Sequence, residues 1–222
     1  MNPSSMAWRI EEGFIHDVLA NYVTYKTYWQ IEQATPDDPE FDPGKAKAAI
    51  AKFVALHEHN LAQKAEVIVE HFRAKVRHKI GGMAKAMVVT ASREHAARYK
   101  LALEKYINTK GYTDVGVLVA FSGSLDLDGE AVTEASMNGF PDSQTATEFD
   151  TEDWHILVVA EKYQTGFDEP LLHTMYVDKK LAGVKAVQTL SRLNRTHPGK
   201  EDTFVLDFAN TAEEIQEAFE PF

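Results

Sequence analysis

A chain of 222 residues that is 44% hydrophobic can bury one sizeable α/β core with a helical extension, or two small domains. It contains no cysteine, which excludes disulfides and thiolate metal sites, and its formal charge of −11 argues against a broad basic nucleic-acid surface. No apolar run approaches the roughly 18 residues of a membrane-spanning helix, and the start MNPSSMAWRI lacks the apolar centre of a signal peptide, so a cytoplasmic setting is expected.

Along the chain, the first eighty or so residues read as helices. Apolar residues recur with helical spacing from Trp8 to Gln33 (Trp8, Ile10, Phe14, Ile15, Val18, Leu19, Tyr22, Val23). ATPDDPEFDPG, residues 34–44, is predicted to be an exposed linker. Helical segments follow at about 45–60 and 61–80, and Gly81-Gly82 closes the block. HEHN at 57–60 does not have the spacing of a zinc helix, because HExxH places its histidines four apart. The aromatic run YVTYKTYW, 22–29, could stack on bases, but packing against a neighbouring domain explains it better.

After Gly82 the texture changes to short apolar runs: AMVVT (86–90), VGVLVAF (115–121), HILVVA (155–160), LHTMYVD (172–178) and TFVLDFA (203–209). They do not alternate, which suits parallel strands buried on both faces. Helix-like stretches at 92–108 and 182–196 separate some of them, so the predicted fold is α/β, a doubly wound parallel sheet over 83–222 preceded by a helical segment over 1–82. Residues 122–153 break the rhythm. They are acidic and poor in apolar side chains, and are expected to form a partly mobile surface excursion dispensable for folding. Asp126, Asp128 and Glu130 around Gly129 resemble part of a calcium loop, but further ligands and a closing glutamate are wanting.

Ligands of open parallel sheets bind at the carboxyl ends of the strands, so the residues just after each run carry the chemistry. In KAVQTLSRLNRTHPG, 185–199, a regular helix would align Gln188, Arg192 and Arg195 within about 40° of one line, with Ala186, Leu190 and Leu193 opposite. No acidic residue in the run neutralises that face, and guanidiniums suit bidentate phosphate contact. AEKYQTGFDEP, 160–170, is a strand-end loop in which Gly166 permits close backbone approach and Asp168 could accept from a ribose hydroxyl or simply cap a turn. In AMVVTASREHA, 86–96, Ser92 reads as an N-cap, and Arg93 either faces a phosphate or is solvated.

The order strand-TASRE, strand-AEKYQTGFD, QTLSRLNRT resembles motifs IV, V and VI of the second RecA-like domain of superfamily 2 helicases, and its wording is nearest the motor (R) subunit of type I restriction enzymes. EEGFIHDVLANYVTYKTY, 11–28, is similar to the helical segment that joins the two motor domains there. Motif VI matches at Gln188, Arg192 and Arg195, while Ser191 and Asn194 stand where glycines are usual, as in the restriction-motor version. The resemblance implies Arg195 as arginine finger, Arg192 as a second γ-phosphate contact, and Gln188, Gly166 and Asp168 at the nucleotide. It also implies Ser92, Arg93, Lys162 and Thr165 on the DNA backbone. It implies ATP, with Mg2+ held by a first motor domain outside this chain, and no metal site within it. The implied partners are double-stranded DNA, the first RecA-like and nuclease domains of a full-length chain, and modification and specificity subunits.

No GxxxxGK[ST] loop, strand-end Asp-Glu pair or nuclease carboxylate signature is present, so the chain is expected to be a fragment of a larger one and inactive alone. Another superfamily 2 DNA helicase, or a non-catalytic α/β module that binds partner subunits, are the alternatives.

Overall fold

The structure is a computed structural model that describes residues 19–27, 61–163 and 167–221. The 34–44 linker, the segment 45–60 with HEHN, Thr165 and Gly166 lie outside the described residues. Strand β1 (Tyr22–Thr24) comes first, then helix α1 (Leu61–His71), β2 (Lys85–Thr90), α2 (Arg93–Lys110) and β3 (Val117–Ala120). A hairpin of β4 (Ser124–Leu127) and β5 (Glu130–Thr133) leads into two short helices, α3 (Glu134–Asn138) and α4 (Thr145–Phe149). The chain continues through β6 (Ile156–Val159), β7 (Leu172–Asp178), α5 (Gly183–Leu190), β8 (Phe204–Asp207) and α6 (Ala212–Phe219).

Six strands form one parallel sheet in the order β1-β8-β7-β2-β6-β3. All five apolar runs are strands of it. Every residue of β2 and β7 is buried, because side chains leaving opposite faces of a strand enter two different cores. Ala86 and Val88 join Ile68, Phe72, Tyr99 and Leu103 under α1 and α2. Met87 and Val89 join Leu190, Leu193 and Ile215 under α5 and α6. The fold is thus the expected RecA-like α/β sheet covered on both faces.

The helical reading of the first segment is corrected at Tyr22–Thr24. These residues extend and pair in parallel with Val205–Asp207 of β8, and the Tyr22 hydroxyl donates to Asp207 at 2.8 Å. Pairing to an open sheet edge outweighs the local helical spacing. Helix α1, on the amino-terminal side of Gly82, buries Ala65, Ile68 and Val69 in the same core as the sheet, so side-chain contacts run across the expected 82/83 boundary.

The second correction concerns residues 122–153, which are structured throughout. Asp128 and Gly129, with φ of 56° and 91°, make the two-residue turn of the β4–β5 hairpin, a place where Asp-Gly is favoured because both residues need positive φ. The acidic groups there serve the turn: Asp126 accepts the Gly129 N–H at 3.0 Å, and Asp128 takes Arg98 at 2.9 Å. Asn138 pairs with Val119 through both its amide atoms, accepting at 3.0 Å and donating at 2.8 Å, and so continues the β3 edge with a side chain. Phe149 is fully buried in the α5–α6 core. Few apolar residues are needed because polar ones are buried in satisfied pairs.

If the excursion is integral, Phe149→Ala should destabilise the chain by about 3–5 kcal/mol in urea unfolding, the usual cost of a phenylalanine-sized cavity. A loss below about 0.5 kcal/mol would mean that α4 detaches without consequence.

Candidate functional site

At the carboxyl edge of the sheet, β2 and β6 are tied by the Thr90 hydroxyl, which donates to the Val159 carbonyl at 2.9 Å. Two residues on, Ser92 has the extended backbone of an N-cap and accepts the His95 N–H at 3.1 Å, as its position before α2 suggested. Arg93 is exposed, as its solvated reading had it. Its Nη1 donates to the carbonyls of Ser122 and Ser124, each at 3.1 Å, and braces the entry to the hairpin.

The loop after β6 turns at once. The Lys162 N–H closes on the Ala160 carbonyl at 2.7 Å, and Glu161 and Tyr163 carry positive φ of 61° and 63°. The Lys162 ammonium lies on the buried carboxylate of Glu134, 2.9 and 3.0 Å from its two oxygens. Tyr163 meets the Phe167 ring, centroids 4.9 Å apart. Beyond Phe167, Asp168 is exposed, whereas Glu169 is buried and accepts the Leu171 N–H at 2.9 Å. Burial raises the Glu169 pKa above the ordinary carboxylate value.

Helix α5 buries Ala186 and Leu190 as its spacing predicts, but it ends at Leu190, and Ser191–Asn194 tighten into a 3-10 turn. Arg195 is extended, with φ −65° and ψ 127°. The alignment of Gln188, Arg192 and Arg195 on one continuous helix face is therefore corrected. Gln188 is exposed beside a cavity of about 310 Å³ that it lines with Glu161, Lys179, Lys180, Lys185 and Thr189. The two arginines instead turn onto the strand-end loop. Arg192 Nη1 donates to the Phe167 carbonyl at 3.0 Å, and Arg195 Nε donates to Asp168 at 2.7 Å. Burial, then the neighbouring Arg195, lowers the Arg192 pKa.

The cause lies one turn downstream. Lys200, 7% exposed, donates to the carbonyls of Arg195 at 2.7 Å, Leu193 at 2.9 Å and Pro170 at 3.2 Å. Those carbonyls are thereby bound outside a helical ladder, and Pro198 disfavours helix at His197. Burial pushes the Lys200 pKa down to about 8. Lysine in a polar turn reads as surface, so nothing in THPGK marked Lys200 as an organiser.

The expectation that no acid neutralises the arginines is also corrected. Asp168, from a loop distant in sequence, pairs with Arg195 although the helix itself carries no acid. With side chains 53% and 67% exposed, the pair contributes at most about 1 kcal/mol. No hydrogen bond among the described residues uses the terminal nitrogens of Arg195. The structure thus brings together Asp168, Arg192 and Arg195, places Lys162 on Glu134, and leaves Gln188 apart on α5. Among the described residues no set of three His, Asp or Glu side chains could hold a metal, and no helix is long and apolar enough to cross a membrane.

The strand-end loop and the arginine turn are thus locked together on a six-stranded parallel sheet. Residues 134–210 match the family model described as type I restriction enzyme subunit R domain 3. Over 197 residues, 87% of the chain, it is 30% identical to a Methanocaldococcus jannaschii sequence assigned as the MjaIXP endonuclease subunit of a type I restriction enzyme. A fragment assigned as an HsdR subunit of a type I restriction enzyme from Vibrio vulnificus YJ016 superposes with a TM-score of 0.57 at 17% identity, covering 96% of this chain and 35% of that one. The DNA-bound, ATP-dependent Type ISP restriction-modification enzyme LlaBIII superposes at 0.52 and 13% identity, over 97% of this chain and 14% of that one. The chain is thus similar to part of the R (endonuclease) subunit of type I restriction enzymes. It spans 18% of the length of the M. jannaschii relative.

Leu193 is fully buried, so Leu193→Ala should cost about 2–5 kcal/mol through the cavity it leaves. Arg195→Ala should change stability by no more than about 1 kcal/mol, because only an exposed pair is lost. Thermal unfolding of the two variants separates a functional arginine from a structural one; equal losses would make Arg195 structural.

Proposed function

We propose that this chain is the second motor domain of an ATP-dependent DNA translocase, the R subunit of a type I restriction system. The observation that carries the reading is the arginine turn. Arg192 Nη1 is anchored on the Phe167 carbonyl and Arg195 Nε on Asp168, and Arg195 presents its terminal nitrogens to solvent. That is the donor set a phosphate chain requires: fixed, forked and permanently charged.

In this reading ATP, with Mg2+, is held mainly by a first RecA-like domain beyond this chain, and supplies the phosphoryl group whose hydrolysis drives movement. Closure of the two domains brings Arg195 to the γ-phosphate as a finger, with Arg192 beside it and Gln188 sensing the bound state. Gly166 and Asp168 contribute the loop at the nucleotide, Asp168 by steering Arg195. Ser92, Arg93 and Thr165 lie on the segments that meet the DNA backbone, where hydroxyls and N–H groups suffice and little net positive charge is needed. The nuclease domain of the same polypeptide and the modification and specificity subunits complete the system.

In the full-length protein, Arg195→Ala should lower DNA-stimulated ATP turnover by about 10³-fold, the scale of an arginine finger, and weaken ATP binding far less. This chain alone should release no phosphate from ATP, with or without duplex DNA. Turnover by the isolated chain near the ordinary motor rate of about one per second would overturn the half-site reading.

A further inference from the structure

The hairpin of the excursion leads into one of the most buried carboxylates of the described residues. Glu134 is 2% exposed at the start of α3. Its Oε2 accepts the Phe121 N–H at 2.8 Å, and its Oε1 accepts the Thr145 hydroxyl. Lys162 completes the set at 2.9 and 3.0 Å. One carboxylate therefore ties together the end of β3, the start of α4 and the turn that leaves β6.

That turn is under strain. Lys162 stands between Glu161 and Tyr163, whose φ values of 61° and 63° lie in the left-handed region that side chains rarely adopt. The Lys162 N–H closes a three-residue turn on Ala160 at 2.7 Å. Such backbone persists only where its surroundings hold it. On one side the hold is the Tyr163–Phe167 ring contact, and on the other it is the Lys162–Glu134 pair. Phe167 is also the residue whose carbonyl anchors Arg192.

We propose that Glu134 is a positioning residue for the functional edge, and that Lys162 is its tether instead of a nucleic-acid contact. The role rests on the translocase reading, since it is there that the strand-end turn faces DNA and nucleotide. The electrostatics favour the tether. Moving Lys162 to a solvated phosphate would leave a desolvated carboxylate with only the Phe121 N–H and the Thr145 hydroxyl, and an unpaired buried charge costs more than an exposed ion pair returns. Asp142, 3.9 Å from the ammonium, adds to its retention. The excursion is thus the lever that sets the turn.

Duplex DNA binding by the full-length protein, measured across a salt series, distinguishes tether from contact. A lysine that neutralises one phosphate lowers the salt slope by about 0.9 when removed, whereas a positioning residue leaves the slope unchanged. Lys162→Met and Glu134→Gln should each weaken binding about tenfold with the wild-type slope. The double variant should be no worse than either, because the two act as one unit, and Lys162→Arg should bind like the wild type. A shallower slope for Lys162→Met with unimpaired binding by Glu134→Gln would make Lys162 a direct contact and overturn the proposal. Amide hydrogen exchange of this chain provides the second arm. In Glu134→Gln the Lys162 amide should exchange faster while the Ser92-capped His95 amide does not change. A Lys162 amide that stays protected overturns the positioning role whatever the DNA result. A wild-type protein with no DNA affinity would sink the translocase reading instead, and the exchange arm alone would then decide whether Glu134 holds the turn.

Discussion

Lys200 aims its ammonium at three backbone carbonyls, those of Pro170, Leu193 and Arg195, from a position that is almost wholly buried. Few arrangements constrain a chain as tightly. An ammonium removed from water must replace each lost hydrogen bond, and here every replacement is main chain. Shifting either the strand-end loop or the arginine turn would break one of the three. The constraint ends the helix before Arg192, turns Arg195 out of the helical path, and sets both guanidiniums against Phe167 and Asp168. Desolvation lowers the Lys200 pKa to about 8, and Glu169 nearby opposes that shift.

The same economy runs along the whole carboxyl edge of the sheet. Asp178 at the end of β7 receives Lys64 from α1 at 2.9 Å and the Tyr99 hydroxyl from α2 at 2.7 Å. Asp207 at the end of β8 accepts the N–H groups of Ala209 and Asn210, each at 2.8 Å, together with Tyr22 of the edge strand. Glu134 does the equivalent work at the β3–β6 side. Buried polar groups of this kind fix geometry more than they add stability, since each is satisfied in only one arrangement. A chain of net charge −11 can therefore present guanidiniums at one edge, because Glu134, Asp178 and Asp207 are already committed to internal partners.

The sheet was legible because continuous apolar runs announce strands buried on both faces, and Ser92 was legible because an N-cap is a local device. What escaped was set at long range. Tyr22–Thr24 has helical neighbours in sequence and becomes a strand by pairing with residues more than 180 positions away. By apolar content the excursion reads as dispensable, whereas Glu134, Asn138 and Thr145 are buried with hydrogen-bond partners. Asp128-Gly129 was a readable hairpin turn, obscured by the acidic residues around it. In the candidate site, the residue types were readable but their partners were not: Asp168 under Arg195, Glu134 under Lys162, and Lys200 beneath the whole turn.

Lys200 holds the arginine turn in register with the loop. The Nε–H resonance of Arg195, observed by 15N-edited NMR, reports its bond to Asp168 directly. In Lys200→Met, under conditions where circular dichroism shows the chain still folded, that resonance should move to the position of a solvated arginine while the amide of His95, capped by Ser92, keeps its shift. If the Arg195 resonance stays where it is in the wild type, the turn holds itself, and the buried ammonium is not what places the guanidiniums.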